Sequence, residues 1–126
     1  MRIIRAEYFG MCFGVRDAIG LALEKASQEP LTILGDLVHN EIVIDDLRRK
    51  GIRIESRIEN VDTRTAMITA HGASDQAIQR ARQRGLNVLQ ATCPLVHFAH
   101  RALGQLVRDG CHPVIVGKRD HVEVRG

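Results

Sequence analysis

The stretch TAMITAHGASDQAIQRARQRGLNVLQ, residues 65–90, holds the pattern by which the whole chain is built. TAMITA is a short apolar run closed by a His-Gly pair, and it reads as a strand. Behind it, Ser74 is a natural helix N-cap, and Ala77, Ile78 and Ala81 recur at helical spacing. The run RARQRG then places cations at the negative end of a helix dipole and ends in a glycine stop. A second apolar run, LNVLQ, comes directly after. Strand, helix and strand without a hairpin turn imply a parallel pair, because parallel neighbours need a crossover.

The same grammar extends to both sides. RIIRA, LTIL, IRI and HPVIVG read as further strands. Val15, Ala18, Ile19, Ala22, Leu23 and Ala26 mark one helical face, and Ile42, Val43 and Leu47 another. Gly51 after DLRRKG and Gly110 after LGQLVRDG repeat the basic turn and glycine stop. The expected fold class is therefore α/β, a parallel sheet flanked by helices. No sequence repeat is strong enough for a solenoid, and no linker divides the chain. The closing VIVGKRDHVEVRG runs from an expected strand into a polar loop without a final helix, which suggests a tail or a lost continuation.

With 126 residues, 44% of them hydrophobic and 26% charged, the chain is a soluble-type domain, or one plus part of another. The net charge of +3 comes from 18 basic residues scattered among 15 acidic ones. Aromatic residues, at 3%, are too few to interleave with the basic ones as a base-stacking platform, so nucleic acid is not expected as a partner. The balance suits a phosphorylated small molecule. No apolar run approaches the ~20 residues that cross a bilayer, and the first residues do not resemble a leader, so the expectation is a cytoplasmic protein with no membrane partner. Three cysteines without tight spacing do not make a disulfide scaffold and leave thiols for packing, metal or catalysis.

In open parallel sheets, ligands gather beyond the carboxyl ends of the strands. The residues just past each expected strand are Cys12 and Gly14, then Asp36, His39 and Asn40, then His71 and Gly72, then Thr92 and Cys93, and last His121 with Glu123. Each has a plainer reading. Cys12 and Cys93 could be small buried hydrophobes, His39 a capping or surface residue, and Ser74 an N-cap only. Against this, Cys93 stands in ATCPLV, where Pro94 suits a first helical position and the sulfur would lie by a helix N-terminus, a place for negative charge. His39 precedes a helix whose first-turn amides could bind an anion. His121 and Glu123, two apart, could pass protons. Cys111, at the start of the HPVIVG strand, reads as packing or surface. A zinc site from Cys12, Cys93 and His71 is a further reading, although the spacing matches no compact zinc motif.

GMCFGV (10–15), LVHNEIVIDDLRRKG (37–51), ITAHGAS (68–74), ATCPLV (91–96) and the closing G-x-x-x-H-x-E-V-x-G (117–126), in this order, resemble the 4-hydroxy-3-methylbut-2-enyl diphosphate reductase family, the LytB or IspH type. The resemblance runs the length of the chain but covers well under half of a usual member. It implies a pseudo-threefold α/β fold of three modules, of which residues 1–95 would be the N-terminal module and 96–126 the beginning of a second. It also implies an iron–sulfur oxidoreductase of non-mevalonate isoprenoid synthesis, which removes a hydroxyl from an allylic diphosphate by two-electron reduction to isopentenyl and dimethylallyl diphosphate. Three cysteines would hold its [4Fe–4S] cluster, and ferredoxin or flavodoxin would supply electrons.

By that resemblance, Cys12 and Cys93 match two cluster cysteines, His39 and His71 the histidines that hold the diphosphate, His121 a substrate-binding and proton-relaying histidine, and Glu123 the carboxylate that delivers a proton to the leaving hydroxyl. The family's third cysteine lies beyond residue 126, and Cys111 does not match it. Val122 stands where the family commonly has proline, Arg125 where an acid is usual, and EYFG where a proline and arginine often precede the first cysteine. The chain by itself could thus be inactive. The alternative reading is a non-catalytic module that binds diphosphate or metal, with self-association through uncovered apolar surface or a missing C-terminal portion.

Overall fold

The computed structural model describes residues 1–5, 7, 10–38, 40–119 and 121–125, without the side chains of Val122 and Arg125. In chain order the elements are α1 (Phe13–Ala26), β1 (Leu31–Leu34), α2 (Glu41–Arg49), β2 (Arg53–Glu55), a 3-10 turn (Ile58–Asn60), β3 (Thr65–Ile68), α3 (Asp75–Gln83), β4 (Asn87–Gln90), α4 (Pro94–Arg108) and α5 (Val122–Arg125). The four strands are all parallel and lie in the order β2-β1-β3-β4. This is the expected α/β class, a parallel sheet with flanking helices.

Strand alternation sorts the side chains. Ile54, Ile33, Met67 and Leu89 form one row across all four strands. That row belongs to the cluster made by Ala18 and Ala22 of α1 and Ile44 and Leu47 of α2. Thr32, Ala66 and Ile68 point the other way, where right-handed crossover from β3 to β4 carries α3, with Ile78 and Ala81 buried. Two buried threonines link the strands. Thr63 Oγ1 donates to Thr65 O at 2.8 Å, so its single proton is used and Thr32 Oγ1 must be the donor to Thr63 at 2.7 Å.

The helix stops work as their sequences imply. Gly51 (φ +82°) donates to Arg48 O and Ile52 N to Leu47 O, while Gly85 and Leu86 repeat the pattern on Arg82 O and Ala81 O. Each pair satisfies carbonyls that a helix end leaves open. Ser74 caps α3, its Oγ accepting from Ala77 N at 3.3 Å.

Two expected strands do not form. Residues 2–5, the described part of RIIRA, and residues 112–117, HPVIVG, are irregular. Ile3 and Ile4 are 81% and 80% exposed, and Val114 and Val116 are 83% and 96% exposed. Branched side chains make a segment ready to pair, but a strand exists only against a neighbour's amides and carbonyls, and among the described residues neither segment joins the sheet. Among the described residues, Cys12 follows no strand and Cys111 does not begin one. The amphipathic α4 keeps no residue fully buried, with Leu95 and Phe98 on its exposed side.

Glu29 ties the end of α1 to the sheet. Its Oε1 lies 2.9 Å from Lys25 Nζ and accepts from Thr65 Oγ1 at 2.9 Å. Hydrogen bonding to Lys25, then to Thr65, holds its carboxyl below the ordinary glutamate range. A folded-state pKa lowered in this way contributes stability above the unfolded value and loses it as pH falls through the folded one. Glu29→Gln is therefore expected to lower the urea midpoint at about pH 7, by an amount that shrinks as the pH falls through the folded-state pKa. A difference that does not shrink with acid would show that Glu29 acts through packing instead of charge.

Candidate functional site

β1 and β3 are neighbours whose chains leave in opposite directions, β1 through α2 to β2 and β3 through α3 to β4. Their exit loops must part, which opens a crevice at the carboxyl edge of the sheet, the usual ligand position in such folds. α1 runs into β1 from behind, so its N-terminus returns to the same edge. There, a cavity of about 230 Å³ has Met11, Val15, Leu37 and Val38 as apolar walls, with Cys12, Asn40 and His71 as its polar groups.

Both cysteines of this edge are helix N-caps. The Cys12 carbonyl accepts from Arg16 N at 3.1 Å to start α1, and the Cys93 carbonyl accepts from His97 N at 3.1 Å to start α4, with Pro94 at the first position. Cys93 N also donates to Ala70 O at 2.9 Å, which pins the turn to the exit of β3. N-caps are ordinarily Ser, Thr, Asp or Asn, whose oxygen accepts from the first-turn amides. Neither thiol makes such a bond. Both are free, Cys12 exposed and Cys93 half-buried. Cys93 approaches the start of α1 at Gly14, where an added Cβ would lie 2.7 Å from Cys93 Sγ. The Cys93 thiol thus rests on the first turn of α1, two residues past Cys12.

The titratable groups converge on the same edge from α5. His71 Nδ1 lies 2.9 Å from Glu123 Oε1, and the rings of His71 and His121 meet edge to face with centroids 6.2 Å apart. One proton lies between the two atoms, on Nδ1 of His71 when Glu123 is ionised and on the carboxyl when Glu123 is protonated, so the pair can hold and release a proton. Glu123 N donates to His121 Nδ1 at 3.4 Å. Of the six residues singled out as a site, Cys12, Cys93, His71, His121 and Glu123 are brought to one rim, and His39 lies outside the described residues.

One expectation needs correction. The first-turn amides of α2 do not all stand open for an anion, because Asn40 Oδ1 accepts from Ile42 N at 3.1 Å and from Val43 N at 3.4 Å. Among the described residues, no group of three or more His, Cys, Asp or Glu is placed to hold a metal ion. Cys12, Cys93 and His71 therefore do not compose a zinc site. Thiolate sulfur is the donor type that holds iron–sulfur clusters, and both cysteines are free of disulfide bonds.

A wider cleft of about 540 Å³ between α3 and α4 was not legible in the sequence. His97, His100, Arg82 and Arg101 line it, and His100 Nε2 is buried without a partner among the described residues. The available signal was the three-residue spacing of the two histidines behind Pro94.

Sheet order and helix layers define a doubly wound α/β protein that carries a rim of thiol and imidazole groups at its switch crevice. The profile of the family described as LytB protein matches residues 3–126, and the chain belongs to that family. Relatives carrying the name 4-hydroxy-3-methylbut-2-enyl diphosphate reductase include one from Syntrophotalea carbinolica, 36% identical over all of this chain and 46% of its own length, and one from Aquifex aeolicus, 39% identical over 98% of this chain and 44% of its own. The chain thus spans less than half the length of these curated relatives. A solved structure described as (E)-4-hydroxy-3-methyl-but-2-enyl diphosphate reductase, the terminal enzyme of the non-mevalonate pathway, superposes with a TM-score of 0.83 at 38% identity, over 98% of this chain and 45% of that one. The Plasmodium falciparum reductase superposes with a TM-score of 0.86 at 30% identity, over 91% of this chain and 37% of that one. No helix among the described residues is long and apolar enough to cross a membrane.

Proposed function

We propose that the chain carries the N-terminal part of a 4-hydroxy-3-methylbut-2-enyl diphosphate reductase site. Residues 1–95 would be its first module and 96–126 the start of a second. The observation that supports this reading is the seating of the Cys93 thiol against Gly14, two residues past Cys12, on the rim where His71 and Glu123 bond. In it, Cys12 and Cys93 ligate a [4Fe–4S] cluster together with a ligand outside this chain. When bound, such a cluster supplies electrons and a Lewis-acidic iron. His39 and His71 hold the diphosphate of the allylic substrate, and His121 binds substrate and relays protons. Glu123, oriented by His71, holds the proton that leaves with the hydroxyl as water. Replacing C–OH by C–H consumes two electrons and two protons, and the electrons come from ferredoxin or flavodoxin.

The test is anaerobic reconstitution with iron and sulfide, then EPR and an assay of the allylic diphosphate with chemical reductant. Cluster formation that requires Cys12 and Cys93 supports the reading, and an iron content indifferent to both removes it. Glu123→Gln is expected to lower turnover about 100-fold or more by removing the proton donor. Its Tm should barely move, since the Glu123 side chain is 44% exposed and glutamine keeps a group that can bond His71. A Tm loss in step with the activity loss would make Glu123 structural.

A second reading is favoured by the incomplete metal set, namely a non-catalytic module that binds diphosphate. Calorimetry with pyrophosphate in the absence of metal separates the two. Heat of binding that is lost in His71→Ala supports the module. The exposed Leu95, Phe98, Leu106 and Val107 of α4 favour self-association of the isolated chain.

A further inference from the structure

Gly14 is buried in the first turn of α1, and its backbone is helical, so no unusual dihedral calls for glycine there. Space does. A Cβ at this position would stand 2.7 Å from Cys93 Sγ and 2.9 Å from Cys93 Cβ, closer than real Cβ atoms approach anything. Gly20, in the same helix, would meet nothing within 4 Å. Across the turn, Gly72 (φ +81°) leaves room for Thr92, whose Cγ2 would lie 3.0 Å from an added Cβ, and for Val96 at 3.5 Å. The Cys93 turn is therefore seated between two glycines that belong to two other elements, and its backbone is held by the bond to Ala70 O. The thiol can rotate away from a side chain at position 14, but the 2.9 Å contact with Cys93 Cβ is relieved only if the Cys93 turn or the start of α1 shifts.

We propose that Gly14 is the positioning residue for the Cys93 thiol and sets how closely that thiol approaches Cys12. The inference rests on reading Cys12 and Cys93 as ligands of one inorganic group. Any side chain at position 14 must drive Sγ outward by roughly 0.7 Å to reach ordinary contact. That exceeds the ~0.5 Å within which a ligand set has to be held. The close contact, not helix formation, is what demands glycine, so Gly14 and Gly20 should respond oppositely to alanine.

The experiment uses the whole chain in a Cys111→Ser background, titrated with Cd²⁺ alone and monitored by the sulfur-to-cadmium absorbance. The parent should bind with a band that disappears in Cys12→Ser. Gly14→Ala should weaken binding roughly ten- to a hundredfold, with Gly20→Ala unchanged. Equal affinity for Gly14→Ala overturns the inference. If the parent shows no band that depends on both cysteines, the shared-ligand reading fails, and positioning is read separately from the alkylation rate of Cys93 in a Cys12→Ser, Cys111→Ser chain. A rate changed several-fold by Gly14→Ala and not by Gly20→Ala upholds it, and equal rates overturn it. Gly14→Ala is also expected to lower Tm by roughly 5–10 °C. Cys93→Gly, which removes both clashing atoms, should abolish that loss, and a loss that persists in the double variant counts against the contact.

Discussion

Cys93→Ser is expected to leave the fold standing while lowering the iron and sulfide retained after anaerobic reconstitution by at least tenfold, the loss that even outer-shell changes produce. The separation is possible because Cys93 is the N-cap of α4. Serine is a preferred N-cap where a thiol is not, so the helix start should gain up to about 1 kcal/mol as the soft ligand is lost. Cys12 occupies the same position on α1, and Cys12→Ser should behave alike. The readouts are iron content, cluster absorbance and the urea midpoint on the same preparations. A serine variant that keeps its cluster absorbance would remove that cysteine from the donor set. A variant that loses both cluster and midpoint would show that the thiol serves the fold.

Ile33→Ala should have the largest effect on folding, a loss of about 2–5 kcal/mol in unfolding free energy. Ile33 is fully buried at the centre of the row Ile54, Ile33, Met67 and Leu89, and it faces α1 and α2. Backbone pairing on both sides holds β1 in place, so the cavity cannot collapse easily. Domains of this size have only about 5–15 kcal/mol to lose. Ile33→Val, which removes one methylene, should lose about 0.5–1.5 kcal/mol. Urea denaturation of the two variants measures both values. An alanine effect as small as the valine one would mean that the row is not the centre of the core.

The local signals in residues 65–90 are legible because each acts within a few residues. Ser74 reaches the amide of Ala77, Gly85 closes on Arg82, and the apolar spacing of Ala77, Ile78 and Ala81 selects a face. The strands expected at RIIRA and HPVIVG fail for the opposite reason. Their composition is suitable, but pairing depends on an edge elsewhere in space. Cys12 and Cys93 stand out as candidates from their surroundings in the sequence. Their shared N-cap position does not, because the sequence places Cys12 after a strand that does not form. The occupied amides of α2 escape notice because Asn40, beside the more conspicuous His39, does the capping.

By itself, then, the amino-acid order determined the alternation of helices and strands, the helix starts and stops, and the residue types available for thiol and proton chemistry, since all of these arise from short-range spacing. Only the tertiary structure decided that β1 and β3 would be neighbours with diverging exits, that His71 would bond Glu123 across 52 positions, and that Gly14 would receive the Cys93 thiol. These contacts join residues far apart along the chain, and their geometry exists only once the sheet order has folded the intervening segments away.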